Sequence, residues 1–332
     1  MTVVIPGYQA ARYIGEAIAS VRAQSRPPAE IVVVDDGSRD GTGDVARAAG
    51  ATVIRQDNRG MAAARNVAVA AARQPWIALL DADDLWLPEK LAAQWAAVER
   101  RPEAGMVFTD GRSYQPPKTF ARTILQWPEF AEHYEKVART AIAPGTVVCD
   151  LGSLRAHYPA GHFFLSGSTM LVRADLLREA GGFDETLKHW ADYELTLRLL
   201  MRTTAAVVER PLFLYRLHDG NMSQDGLGMK LDEIAIARML FARAERYPGE
   251  ALAYWRSAHP ANLRAAIRLL LRRGDGPRAR ALLRELRGYG WTPEWELARA
   301  ASRALDLGGT RVIAGAKRLR DALRRRLAAG AG

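Results

Sequence analysis

Residues 79–90 read LLDADDLWLPEK, and Asp81, Asp83 and Asp84 fall within four positions directly behind the apolar run WIALL. Asp81 and Asp83 flank Ala82, and in extended chain residues i and i+2 point to the same side. Two carboxylates on one side of a strand end can hold Mg2+ or Mn2+. Such hard cations take oxygen ligands and keep positions open for substrate phosphates. The competing reading is helix capping, since acids are favoured at a helix start and Asp84 or Asp83 could be the N-cap of the helix that follows. Asp84, with LWLPEK after it, suits that role. A second acidic strand end is VVVDDGSRDGT, residues 32–42. There Asp36 can accept hydrogen bonds from a base or ribose, and Gly37 lets the backbone approach a ligand closely. The alternative is an ordinary strand-to-helix turn capped by Asp40.

Carboxylates used together need strands that end together. TVVIP reads as a short buried strand, and ARYIGEAIASVRAQ as a helix with Ile14, Ala17, Ile18 and Val21 on its apolar side. EIVVVDDGS, ATVIRQ, PWIALLDADD and EAGMVFTD read as further strands. TGDVARAAG, MAAARNVAVAAAR and LPEKLAAQWAAVERR read as the helices between them, the last with Pro88 near its first turn. Strands without polar alternation, alternating with helices, imply an α/β fold with a parallel sheet covered on both faces. In such sheets ligands bind beyond the carboxyl ends of the strands, where Asp35, Asp36, Asp81 and Asp83 fall. Residues 111–165 show no period and read as loops and short helices, one wall of a pocket. FLSGSTMLVRADLLREAGGFDE reads as strand, helix and a stop at Gly181–Gly182. WADYELTLRLLMR reads as a helix, and AAVVERPLFLYRLHDGNMS as two strands with a turn at Pro211. From about residue 230 the pattern is helical, with a hairpin around RRGDGPR. The expected division is residues 1–225 and an all-helical, basic region at 226–332.

Seven segments occur in one order: VVIPGYQAARYIGEAIASV, IVVVDDGSRDGT, DNRGMAAARNVAVAAA, WIALLDADDLWLPEKL, GSTMLVRADLLREAGGFDE, ADYELTLRL and YRLHDGNMS. Together they closely resemble the family 2 glycosyltransferases, over roughly residues 1–225. The resemblance implies a GT-A fold, with a Rossmann-like, mixed and mostly parallel sheet flanked by helices. It implies an inverting enzyme that moves a sugar from a nucleotide-diphosphate sugar, UDP-linked by family habit, to a hydroxyl acceptor with Mn2+ or Mg2+. Pro6 and Tyr8 would line the nucleobase pocket, Asp36 would bind base or ribose, and Arg65 would lie near the nucleotide or its phosphates. Asp81, Ala82 and Asp83 would meet the nucleotide-sugar, Asp83 as the direct metal ligand and Asp81 nearer the sugar. His218 would approach the metal or diphosphate, and Gly167 and Ser168 would border the acceptor. Asp192 would be the general base. The family's usual acid before that aspartate is Ala191 here, with Glu194 as a partial stand-in, and the usual Asn after the tyrosine of the first segment is Gln9. The chain has no Gln-x-x-Arg-Trp segment of the polymerising members, so transfer of one or a few sugars is expected.

Two other readings stand beside this one. A phosphatase of the haloacid dehalogenase type also places Asp-x-Asp after an apolar strand, but it needs Thr or Val soon afterwards and has no use for DDGS. A non-catalytic nucleotide-sugar binder is suggested by Ala191. Cys149, the single cysteine, excludes an intrachain disulfide and a cysteine-based zinc site. The N-terminus lacks a secretory pattern and no long apolar run occurs, so the expectation is a cytoplasmic protein. The net charge of +10 is unevenly placed: from residue 261 onward 17 Arg and Lys stand against 6 Asp and Glu, which leaves the first 260 residues at −1. The segment VIAGAKRLRDALRRRLAAG reads as a basic amphipathic helix suited to the anionic inner face of the plasma membrane, or as a solvated helix. Membrane contact would suit a lipid-linked glycan acceptor in bacterial surface polysaccharide synthesis. No nucleic-acid recognition motif is present.

Overall fold

The computed structural model describes residues 1–163, 167–290 and 298–302. Its strands are β1 (Thr2–Gly7), β2 (Glu30–Asp35), β3 (Thr52–Arg55), β4 (Trp76–Leu79), β5 (Leu85–Trp86), β6 (Met106–Gln115), β7 (Lys118–Thr123), β8 (Arg139–Ala143), β9 (Thr146–Cys149), β10 (Leu171–Arg173) and β11 (Ala205–Arg216). They form one sheet in the order β3-β2-β1-β4-β10-β6-β11-β9-β8, with β5 added on β11 and β7 on β6. The two longest ladders, β1 with β2 and β6 with β11, are parallel, as are β1 with β4 and β2 with β3. β10 lies antiparallel between β4 and β6. This is the expected mixed, mostly parallel sheet.

Val3, Val4, Ile5, Val33, Val34, Ile77 and Leu79 are wholly buried, as strands covered on both faces require. Helix Ile14–Arg22 buries Ile14, Ala17, Ile18 and Val21. Helix Met61–Ala71 places small residues, Ala62, Ala63, Ala64 and Ala68, on its buried side. β2 ends at Asp35 and β4 two residues before Asp81, and β1 runs parallel between them. The two acidic segments therefore emerge at the same edge of the sheet.

Two expectations are corrected. Residues 111–165 are not mainly loop: they hold the end of β6, strands β7, β8 and β9, and helices Pro128–Tyr134 and Leu151–Gly161. Pro211 does not divide two strands, because β11 runs unbroken past it with register shifts on either side. Proline cannot donate to the ladder, and an irregular pairing accommodates the lost bond.

The chain forms two compact units, Met1–Gln224 with Met239–Tyr254, and Asp225–Arg238 with the chain from Trp255 onward. In the second, the helical residues from Trp255 to Arg272 and helix Gly276–Leu286 meet at Gly274 and Asp275, whose carboxylate accepts the Arg278 N–H at 3.0 Å. Leu263, Ile267, Leu270, Leu282, Leu283 and Leu286 build its core with Leu227 and Ile234. The basic helix expected near 311–332 lies outside the described residues.

Candidate functional site

The acidic turn after β4 is tied down from several sides. The Asp81 N–H donates to the Ser168 hydroxyl at 3.0 Å, and that hydroxyl donates to the Asp84 carboxylate at 2.6 Å. The other Asp84 oxygen accepts the Arg216 N–H at 3.1 Å. The Arg216 guanidinium donates to the Asp83 carbonyl at 2.8 Å and pairs with Glu16 at 2.7 Å. Burial, and after it the charges of Asp83 and Asp81, pushes the Asp84 carboxyl well up. Asp84 is 1 % exposed and is no helix cap. The next helix begins at Lys90, with Glu89 before it and no side-chain cap. Nearness to a helix start suggested capping, whereas the buried hydroxyl and N–H that hold Asp84 come from distant parts of the chain.

Asp83 turns the other way and keeps its side chain 31 % exposed. His218 Nε2 lies 2.9 Å from its carboxylate. The Gly220 N–H donates to His218 Nδ1 at 3.1 Å, so the ring proton sits on Nε2 and is donated to Asp83. Tyr13 stacks on the His218 ring at 4.9 Å. Burial, and next the Asp81 charge, raises the Asp83 carboxyl, against the pull of the His218 hydrogen bond.

Arg65 projects from helix Met61–Ala71 and pairs with Asp81 at 2.5 Å while only 1 % exposed. Its guanidinium also lies over the Phe183 ring at 5.3 Å. Although burial opposes its charge, the fields of Asp81, Asp192 and Asp84 raise its pKa. Asp192 is thus brought into the group by Arg65. It lies in the first turn of helix Ala191–Leu199, is partly exposed, and accepts the Tyr193 N–H at 2.9 Å. Gly167 packs so closely on Arg65 that a Cβ there would lie 2.8 Å from its Nη2.

The remaining expected residues are more dispersed. Pro6 is buried within β1, and Tyr8 stands 55 % exposed just past its end. Asp36 is 2 % exposed, and its oxygens accept Gln56 Nε2 at 2.7 Å and the Arg59 and Gly60 N–H groups at 2.9 and 2.8 Å. In this arrangement Asp36 shapes the turn that starts helix Met61–Ala71. Gly37, at φ 79°, sits so close to that turn that a Cβ would lie 2.9 Å from the Asn58 nitrogen. Ala82 is buried between the two outward acids. Ser168, expected on the acceptor side, is wholly buried under the acidic turn.

Glu194 does not stand in for the acid missing at Ala191. It is 1 % exposed and held by Arg198 at 2.7 and 2.6 Å and by the Tyr247 hydroxyl at 2.7 Å. Being two residues beyond Asp192 on a helix, it faces away from it. Sequence reasoning also missed Tyr13 and Arg216. For Arg216 a signal existed, since it precedes His218 by two positions at a strand end and so shares its side.

The donor set suits a divalent cation. A partly exposed carboxylate and an imidazole converge at Asp83 and His218, beside a second carboxylate on Asp81, and oxygen with imidazole ligands fit Mn2+. Among the described residues no trio of His, Cys, Asp or Glu is arranged to hold a metal. Most positions on a cation here would therefore be filled by substrate oxygens and water. For His218 Nε2 to ligate as a neutral imidazole, its proton must move to Nδ1, and the bond from Gly220 must be given up.

Residues 2–155 match the family described as Glycosyl transferase family 2. The succinoglycan biosynthesis protein ExoO of Rhizobium meliloti is 29% identical over 248 residues, 70% of this chain and 64% of that protein. Among solved structures, S. aureus TarS 1-349 in complex with UDP-GlcNAc aligns with a TM-score of 0.58 at 19% identity, over 92% of this chain and 88% of that one. The mannosyltransferase PcManGT of Pyrobaculum calidifontis, in complex with GDP-Man and Mn2+, aligns with a TM-score of 0.53 at 21% identity, over 92% and 80%. At these identities the likeness to the two structures is one of fold.

Proposed function

We propose that this chain, whose residues 2–155 match glycosyl transferase family 2, transfers a sugar, with inversion, from a nucleotide-diphosphate sugar to a hydroxyl of a glycan or lipid-linked acceptor. Residues 1–225 are the catalytic domain in this reading, and 226–332 a helical appendage. The observation that carries it is the acidic turn beyond the strand ends, where Arg65 pairs with Asp81 and His218 with Asp83, with Asp192 near enough for its charge to act on Arg65. The succinoglycan relative supports an acceptor in surface polysaccharide synthesis. The nucleotide-sugars bound by the two structural neighbours support the donor class, with UDP the first choice.

In this reading Asp83 would hold Mn2+ or Mg2+, joined by Asp81 and His218 only once they turn from Arg65 and from the Asp83 hydrogen bond, and the ion when bound supplies Lewis acidity toward the leaving diphosphate. Arg65 fixes the Asp81 carboxylate and is too buried to meet the nucleotide directly. Tyr8 offers an exposed ring to the base beside buried Pro6, and Gly37 gives backbone access near Asp36. Asp192 takes the proton of the acceptor hydroxyl on the opposite face of the sugar. In this reading Asp81, paired with Arg65, serves the donor side and Asp192 the acceptor side.

The second reading, a nucleotide-sugar binder without turnover, is favoured by one observation: Ala191 leaves Asp192 without its usual acidic neighbour, and Glu194 is bound elsewhere. Calorimetric titration of UDP, GDP and dTDP, each with and without Mn2+, into wild type and Asp83→Ala tests the shared premise. Metal-dependent binding of one nucleotide, absent from the variant, is expected. Release of nucleoside diphosphate from the matching sugar nucleotide then separates the two readings. A folded protein that binds none of the three nucleotides sinks both.

A further inference from the structure

Gly167 and Ser168, expected beside the acceptor, lie against the acidic turn instead. With Thr169 they form a short helical turn, Gly167–Thr169, buried at all three residues. Ser168 makes three bonds to the segment 81–86, from 82 to 87 positions away in the chain. Its hydroxyl accepts the Asp81 N–H at 3.0 Å and donates to the Asp84 carboxylate at 2.6 Å, and its carbonyl accepts the Trp86 indole N–H at 3.0 Å. A hydroxyl has one proton and two lone pairs. The Ser168 proton and one lone pair are committed to the acidic turn, and the residue has no exposed surface on which to meet a sugar.

The turn around Ser168 is itself held in place. Gln94, on helix Lys90–Arg100, donates to the Thr169 carbonyl at 2.9 Å and to the Val107 carbonyl at 2.8 Å. Its amide oxygen accepts Lys90 Nζ at 2.9 Å, and that wholly buried amine lies 4.0 Å from the centre of the Trp86 ring. The Met170 carbonyl accepts the Leu79 N–H at 3.1 Å, and β10 runs on as the antiparallel partner of β4. The strand that leads into the acids and the strand that leaves Ser168 are thus hydrogen-bonded neighbours, so the sheet registers one turn against the other.

We propose that Ser168 is a positioning residue of the cation site: it draws Asp84 inward and fixes the Asp81 backbone, which leaves Asp83 directed outward to meet a divalent cation. Carboxylates that hold a metal depend on the groups that orient them, and losing such a group costs about 10–100-fold in metal affinity. Without the hydroxyl a buried carboxylate loses a charge-assisted donor and a buried N–H loses its acceptor, so the turn must rearrange. The assignment rests on the transferase reading above.

The test measures Mn2+ affinity of the full chain with UDP, GDP or dTDP present, from the free Mn2+ signal in electron paramagnetic resonance against a protein-free control. In Ser168→Ala the Mn2+ dissociation constant is expected to rise about 10–100-fold, with nucleotide binding restored at saturating Mn2+. Should that variant not fold, Trp86→Phe, which deletes the N–H that holds the Ser168 carbonyl, carries the same comparison. A lowered melting temperature with wild-type Mn2+ affinity makes Ser168 merely structural and overturns the proposal alone. A loss that saturating Mn2+ does not restore marks a collapsed site and overturns it too. A wild type that binds no Mn2+ with any of the three nucleotides sinks the proposal together with the metal site on which the transferase reading stands.

Discussion

Asp192 carries its charge in a place that opposes it. Burial raises its carboxyl pKa, Asp81 adds to the rise, and Arg65 works against it. A base with a raised pKa is protonated at a higher pH than an exposed carboxylate. The transfer rate is therefore expected to fall as pH drops through that raised value, with the acid limb above the usual carboxylate range, as a pH–rate profile would show. The same shift has a consequence for stability. The folded state binds this proton more tightly than the unfolded chain, so its stabilising effect is present at low pH and lost as pH rises through the folded-state pKa. At neutral pH Asp192→Asn removes an unfavourable charge and keeps the shape. It is expected to leave the melting temperature unchanged or raised, to spare nucleotide binding, and to slow transfer by about 10²–10⁴-fold. A variant that melts earlier and still transfers at the wild-type rate would make Asp192 a structural residue.

At the scale of elements, helix Ala191–Leu199 is anchored from its far side. Arg198 is clasped by Glu194 and donates to the carbonyls of Ala180 and Gly182, which hold the turn leading to Phe183. Asn66 grips the Phe183 backbone in both directions at 2.8 and 2.9 Å, one residue from Arg65. The clasp thus steadies both Asp192 and Arg65. Glu194→Ala leaves a buried guanidinium without its anion and is expected to destabilise by about 3–5 kcal/mol in urea unfolding. Glu194→Gln, which retains an acceptor, should cost less. A loss below about 1 kcal/mol in the alanine variant would mean that the pair behaves like a surface ion pair. The helices and strands up to residue 110 were legible because their apolar residues recur with clear periods and their turns carry Gly, Pro and Asp. What lay beyond was less so. The hairpin of β8 and β9 reads ARTAIAPGTVVCD, too short and too polar on one strand to stand out. β11 hides a register shift at Pro211, which sequence alone renders as a turn. The site acids were legible from spacing and order, but the direction of each side chain was not. Asp84 turns inward because of Ser168 and Arg216, 84 and 132 positions away in the chain.

The whole molecule separates its charge from its candidate chemistry. The first 260 residues are nearly neutral, and the surplus of positive charge lies in the last 72. No helix among the described residues is long and apolar enough to cross a membrane. Residues 311–332 carry Arg311, Lys317, Arg318, Arg320, Arg324, Arg325 and Arg326 against Asp321 alone. As a helix this segment would gather Ile313, Ala316, Leu319, Leu323 and Leu327 toward one face, the pattern of a surface-lying amphipathic helix. Each cation near an anionic bilayer is worth about 1 kcal/mol, and the effect fades with salt. A lipid-linked acceptor would be met more often by an enzyme held at that surface. Removal of residues 311–332 is therefore expected to abolish most sedimentation with phosphatidylglycerol vesicles at low salt while nucleotide binding stays at the wild-type level. Wild-type binding should decline as salt is added and be absent on phosphatidylcholine alone. Vesicle binding that survives the deletion unchanged would show that the tail does not carry the membrane contact. Loss of nucleotide binding along with it would show instead that the tail supports the fold.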